Sequence, residues 1–196
     1  MAAYFVANAA TVQTGSALAA LAWLLIAIFG AGAYAAIGPA ERERGEAWST
    51  VGVIGIAMLN VMFGAVTATR IALAAGDPST ATLWHLHNAF FTVNNVSLVV
   101  TLVGFSVGGA RTALLRPWHA ALGLVSAALI FGSTVLGAFT SGGGPAGVSL
   151  VGFAGWLLWL AWLGTFGVLL MRDRIRPQEA PIVPVEAGRR RPDSSV

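Results

Sequence analysis

The sequence predicts an all-α protein, a polytopic bundle of about five membrane-spanning helices. Three observations predict it. The 196 residues are 57% hydrophobic and only 10% charged, with a mean hydropathy of +0.77, whereas soluble chains are about a quarter charged. Five apolar stretches each reach the length of about 20 residues that crosses a bilayer. The arginines fall in alternate loops, as they do when cytoplasmic loops retain positive charge.

The first span is read over 16–38, "SALAALAWLLIAIFGAGAYAAIG", after a short external segment, 1–15. It is expected to stop at Pro39, which lacks an N–H and crowds the preceding turn. Its flank has no positive charge, and its apolar run exceeds the roughly 7–15 residues of a signal peptide, so it is read as a retained span. The other spans are read over 50–75, 83–107, 118–139 and 147–171. The loops between them, "GPAERERGEAWS", "GDPSTAT", "GGARTALLRP" and "TSGGGPAG", hold Gly, Pro and Ser breakers. Residues 172–196 carry Pro, Arg and acidic residues with little apolar content, and are expected to form a disordered, Arg-rich cytoplasmic tail.

Five spans place every basic loop on one side. Arg42 and Arg44 precede the second span, Arg111 and Arg116 precede the fourth, and Arg172, Arg174, Arg176, Arg189, Arg190 and Arg191 follow the fifth. The N-terminal segment and the other two loops have no Arg. The expected orientation is N-terminus outside and C-terminus cytoplasmic, in the plasma (inner) membrane of a bacterium. Four or six spans would break the alternation.

The third span is the unusual one. "LWHLHNAFFTVNN" brings His85, His87, Asn88, Thr92, Asn94 and Asn95 into a membrane helix. At 100° per residue, Leu86, Ala89, Phe90, Val93, Val96 and Val100 form an apolar arc, and His85, Asn88, Thr92 and Asn95 form a polar one, with His87 and Asn94 on its far flank. Polar groups in hydrocarbon are costly and face the bundle interior, so this helix is expected at the centre. Asn60 lies about 15 Å from one face and Asn94 and Asn95 about 18 Å from the other, at a rise of 1.5 Å per residue. An amide contact is expected between Asn60 and Asn94 or Asn95, with Gly64 allowing close approach and Thr92 among the buried interhelical polar groups. Nearer the outer face, Arg70, Asp77, His85, His87 and Asn88 form a candidate polar pocket. Against a ligand role, Arg70 is placed to snorkel to headgroups, and Asp77, before Pro78, suits a turn or cap.

Composition excludes several chemistries. With no Cys there are no disulfides or thiolate ligands, and with no Lys there is no lysine Schiff base. The pI near 10.6 comes mostly from the Arg-rich tail, which marks a cytoplasmic membrane face and not a nucleic-acid partner. His85 and His87 point about 200° apart on a helix and cannot share one ion, since helical metal pairs want spacings of three or four. His119 lies near the opposite face, so paired haem ligation is not expected. No cofactor and no metal are expected. No H-E-x-x-H, G-x-S-x-G or phosphate-loop motif occurs, so no catalytic residue is assigned. The sequence leaves an enzyme undecided and leans against it.

Two further features have a bland reading and a functional one. Trp156, Trp159 and Trp162 in "WLLWLAWLG" are bulky packing, or an aromatic wall for an apolar or sterol-like ligand. Gly123, Ser126, Ser133 and Gly137 line one face of the fourth span and suit close packing. The segment "DPSTATLWHLHNAFFTVNNVSLVVTLVGFSVGGARTALLRPWHAALGLV" resembles a type of small multipass integral membrane protein common in actinobacteria, through Asp77, Pro78, Trp84, Asn88, Arg111, Leu115, Arg116, Pro117 and Trp118. Its turn reads Leu-Arg-Pro-Trp where that type has Leu-Pro-Arg-Trp or similar. The resemblance implies a membrane compartment and a helical bundle, and no activity. The function expected is an interaction or accessory role on a membrane partner or lipid. The alternative is a carrier for a small solute or lipid-like ligand at the polar residues of the third span. Partners expected are the lipid bilayer and another membrane protein or a second copy of this chain.

Overall fold

The computed structural model describes residues 2–76, 79–139 and 146–175. Among the described residues there are six helices and no strand: α1 (Ala2–Ala7), α2 (Ala9–Arg44), α3 (Trp48–Ala74), α4 (Thr80–Arg111), α5 (Pro117–Phe139) and α6 (Ala146–Ile175). Helices α2 to α6 are each long and apolar enough to cross a membrane. The fold is an all-α membrane helix bundle.

The helices outrun the apolar stretches read from sequence. α2 starts at Ala9, inside the expected external segment, and Pro39 lies within it. That corrects the expected stop. Proline deletes one intrahelical bond, which membrane helices tolerate where neighbours re-satisfy the backbone. Gly45 ends α2 instead. Its φ of 68° is left-handed, its N–H donates to the Arg42 carbonyl, and the Glu46 N–H reaches back to Glu41, a double closure that glycine permits at no steric cost. α6 runs to Ile175, into the expected tail. Residues 176–196 of that tail lie outside the described residues.

The α2–α3 turn buries a carboxyl group, that of Glu41. Ala47 at the start of α3 has no side chain able to cap it. Glu41, 1% exposed, does so from the preceding helix. Its two carboxylate oxygens accept the Ser49 N–H at 3.0 Å each, and Ser49 Oγ donates at 2.5 Å. A carboxylate there also meets the positive end of the helix dipole.

At the surface of the same turn, Arg111 of α4 grips Glu46 through two parallel bonds, Nε at 2.6 Å and Nη2 at 2.5 Å, while Arg44 donates to the Arg111 carbonyl. Arg111 hydrogen bonding, aided by the charges of Arg111 and Arg44, lowers the Glu46 pKa. A carboxyl lowered in the folded state stabilises above its unfolded value of about 4 and loses that contribution as pH falls through the lowered folded value. Thermal stability in detergent is therefore expected to fall slightly on acidification below about pH 4, less so in high salt. Glu46→Gln should flatten that step. An unchanged acid slope in the variant would assign it to other carboxylates.

α3 and α4 pair along their lengths. Gly52 abuts Gly104 and Phe105, Gly55 abuts Thr101, and Thr69 meets His87. These are equal steps up one helix and down the other, so the pair is antiparallel and in register. The buried seam recurs every seventh residue, at Gly52, Leu59, Val66 and Leu73 on α3 and at His87, Asn94, Thr101 and Gly108 on α4, the repeat of helices crossing at a shallow angle. In lipid, such pairs are held by close packing and not by an apolar drive. α4 is the most buried of the five long helices, which places it at the centre.

α5 turns back from α4 through Ala113, whose φ of 59° is left-handed, and starts at Pro117, where a missing N–H is harmless. Gly123, Ser126 and Ser133 pack on α6: Gly123 against Trp162, Ser126 Oγ donating to the Gly155 carbonyl at 2.7 Å, and Ser133 against Gly152. α2 closes onto α6 through Phe29, whose ring meets Phe166 at 5.4 Å and Trp162 at 6.0 Å, and through Gly32 against Leu170. Arg42, Arg44, Arg111, Arg116 and Arg172 all lie at one end of the bundle, hereafter the Arg end. At the other end, α1 packs Phe5 on Trp84 and Val6 on Gly76.

Candidate functional site

Of the five residues of the outer polar pocket, four are described, and one of the four is buried. His87 is buried, its Nδ1 3.3 Å from Thr69 Oγ1 and its ring stacked on Trp84. Thr69 gives its hydrogen to the Val66 carbonyl at 2.8 Å, so His87 Nδ1 is the donor of the pair. Arg70, His85 and Asn88 are exposed, and Asp77 lies outside the described residues. Among the described residues, no hydrogen bond or ring contact joins Arg70, His85, His87 and Asn88 to one another, although the charge of Arg70 is close enough to act on His87. The reason is the phase of α4. The seam against α3 runs through His87, Asn94 and Thr101, so His85 and Asn88 turn outward.

That phase also decides the amides. Asn94 is fully buried, with both Nδ2 and Oδ1 unpartnered, and Asn60 Oδ1 and Asn95 Oδ1 are unpartnered too. The expected Asn60 contact with Asn94 or Asn95 is therefore not made. Asn60 lies one residue off the α3 seam at Leu59, about 100° around the helix. Gly64 faces open space, and the close approach sits instead at Gly52, Gly55 and Gly104. Thr92 is exposed and donates to the Asn88 carbonyl at 2.9 Å, a bond within its own helix.

An unpartnered buried amide is a standing cost, and an apolar residue of the same shape removes it. Asn94→Leu is expected to raise unfolding stability by about 1 kcal/mol. Reversible unfolding in mixed micelles measures it; a clear loss of stability would show that Asn94 holds a bound group.

Two concavities stand out among the described residues. The larger, about 570 Å³, is a cleft between α4, α5 and α6, lined by Phe91, Asn95, Ile130, Thr134, Phe153 and Trp156 among others. It lies away from the Arg end, beyond the level at which Phe29 and Gly32 bring α2 onto α6. Asn95, Thr134 and Trp156 each hold a buried polar atom without a partner: Oδ1, Oγ1 and Nε1. Among the described residues, no ionisable side chain lines the cleft. The smaller, about 390 Å³, is at the Arg end and is lined by Arg116, Trp118, His119, Thr165 and Arg172. There His119 is fully buried, with Nε2 3.1 Å from the Trp162 carbonyl and 2.9 Å from Thr165 Oγ1. A carbonyl only accepts, so Nε2 carries the proton, and the ring staples α5 to α6.

Sequence reasoning singled out Asn95 and Trp156 but missed Thr134, Glu41 and the structural part of His119. Thr134 is one hydroxyl in an apolar span and carries no pattern. Glu41 stands in an acidic, basic and Gly-rich loop sequence that reads as solvent. Among the described residues, no three His, Asp or Glu side chains gather as a metal site. No protein-family model, no curated protein and no solved structure matches the chain.

Proposed function

We propose that this membrane protein works by binding within the bilayer, as an interaction or accessory protein acting on a membrane partner or lipid, without chemistry of its own. The observation that supports it is the cleft between α4, α5 and α6. It is larger than the concavity at the Arg end, it lies between three helices long and apolar enough to span a membrane, and the polar groups of its described lining are neutral. The buried ionisable groups have structural work instead: Glu41 caps α3, His119 joins α5 to α6, and His87 joins α4 to α3. The Arg end faces the cytoplasm and the N-terminus lies outside, in a plasma membrane. The gathering of five arginines at one end of the bundle supports that orientation.

Binding is tested by extracting the full chain from its membrane in polymer nanodiscs and analysing what stays with it through size exclusion. A protein or lipid species enriched over the bulk membrane is expected. Contents identical to those around an unrelated five-span protein would overturn the reading. Orientation is tested in the natural absence of Cys. Ala75→Cys should react with a membrane-impermeant maleimide in intact cells, and Ala113→Cys only after lysis.

A further inference from the structure

We infer that the cleft between α4, α5 and α6 is a site for a neutral lipid alcohol, a molecule with an apolar chain and a free hydroxyl held at the level of Asn95, Thr134 and Trp156. The inference rests on the bilayer-binding reading above and names its ligand. The three residues come from three helices and reach one zone. Ser106 of α4 abuts Gly123 of α5, and equal steps away from that pair arrive at Asn95 and Thr134, which therefore stand level. Gly155 of α6 packs on Ile130, which puts the Trp156 backbone about one and a half helical turns, roughly 7.5 Å, nearer the Arg end than Thr134, a gap its long side chain can span.

The orphaned atoms select the chemistry. Asn95 Oδ1 only accepts, Trp156 Nε1 only donates, and Thr134 Oγ1 does both. Each is shut off from solvent by the wall of the cleft, so a ligand hydroxyl meets it through a small turn of its side chain, and each costs free energy until it is partnered. A ligand ketone, ester or ether would answer the indole but leave the amide oxygen alone. A carboxylate or phosphate would bring a charge to membrane depth, where no lining residue offsets it. A hydroxyl donates and accepts and carries no charge. Phe91, Phe153, Ile130 and the Trp156 ring supply the apolar wall for the chain. The volume of about 570 Å³ falls within the roughly 300–1,000 Å³ of ligand sites.

The test uses the full-length protein in nanodiscs and a monoacylglycerol with a diazirine in its acyl chain. The control is the same probe with both hydroxyls methylated. Photolabelling is expected on α4, α5 and α6 peptides around the cleft, and excess unlabelled monoacylglycerol should compete it away. The methylated probe should label about fivefold less, the equivalent of one lost hydrogen bond. Trp156→Phe keeps the ring and removes the N–H, and Thr134→Val keeps the shape and removes the hydroxyl. Each should lower labelling several-fold with an unchanged size-exclusion profile. Equal labelling by both probes would overturn the proposal and leave only an apolar crevice. Absence of cleft labelling would also overturn it; if the nanodiscs still retained an enriched lipid or protein, the bilayer-binding reading would stand without it. The comparison of the two probes on the unaltered chain decides the matter even if a variant misfolds.

Discussion

Gly104→Ala is expected to destabilise the protein by about 3 kcal/mol, the upper range for overpacking. A methyl there would lie 2.3 Å from the Gly52 nitrogen, 2.6 Å from its Cα and 2.8 Å from the Trp48 carbonyl oxygen. All three are backbone atoms, so no rotamer change relieves the clash and α3 must move off α4. Gly30 is the instructive contrast, because its nearest obstacle is the tip of the Ile56 side chain, which can turn aside. Gly64 faces open space, so Gly64→Ala should be neutral or gain up to about 1 kcal/mol from helix propensity. The measurement is thermal unfolding in one detergent, read by size exclusion after heating. Gly104→Ala should melt about 6–12 °C lower than the parent, and Gly64→Ala no lower. Equal melting of parent and Gly104→Ala would mean that the two helices do not touch along this seam.

The difference between those two glycines explains what the sequence made legible. Long apolar runs and Arg-bearing loops are local properties, and they gave five spans and a central α4 correctly, because lipid forces each backbone to satisfy itself as a helix. The face that each helix turns to its neighbour is not local. His85, Asn88, Thr92 and Asn95 form the more polar arc of α4, yet α4 buries His87 and Asn94, since the glycines at 52, 55 and 104 fix where α3 can lie closest. That choice turns the arc about 130° away from the seam and separates Asn60 from Asn94. Pro39 misled for a related reason, because the bond it deletes costs a membrane helix little while the turn at Gly45 closes well. The cleft was half legible. Asn95 and Trp156 stand out as polar and aromatic groups inside spans, but that they meet, with Thr134 between them, follows from the α4–α5–α6 register.

Glu41→Ala is the second large loss, also about 3 kcal/mol, because it removes charged hydrogen bonds together with a helix cap. The Ser49 N–H, at the start of α3, would be left without its acceptor in a site where Ser49 itself is 1% exposed. Gln cannot replace the carboxylate fully, since its amide nitrogen would face donors; Glu41→Gln should lose roughly half as much. Ser49→Ala keeps the backbone donor and gives up only the hydroxyl, and should cost about 1 kcal/mol. The same carboxylate is also what makes Gly108 necessary. A methyl at 108 would come 2.6 Å from Glu41 Oε1 and 3.2 Å from Ile37 and Trp48, so Gly108→Ala should displace the cap from the α4 side. Two substitutions that damage one contact do not add. In Gly108→Ala, the further change Glu41→Ala should cost well under its value in the parent chain, measured by reversible unfolding of all four proteins. Full additivity would show that Glu41 and Gly108 act independently, and that the end of α4 plays no part in holding the α2–α3 turn.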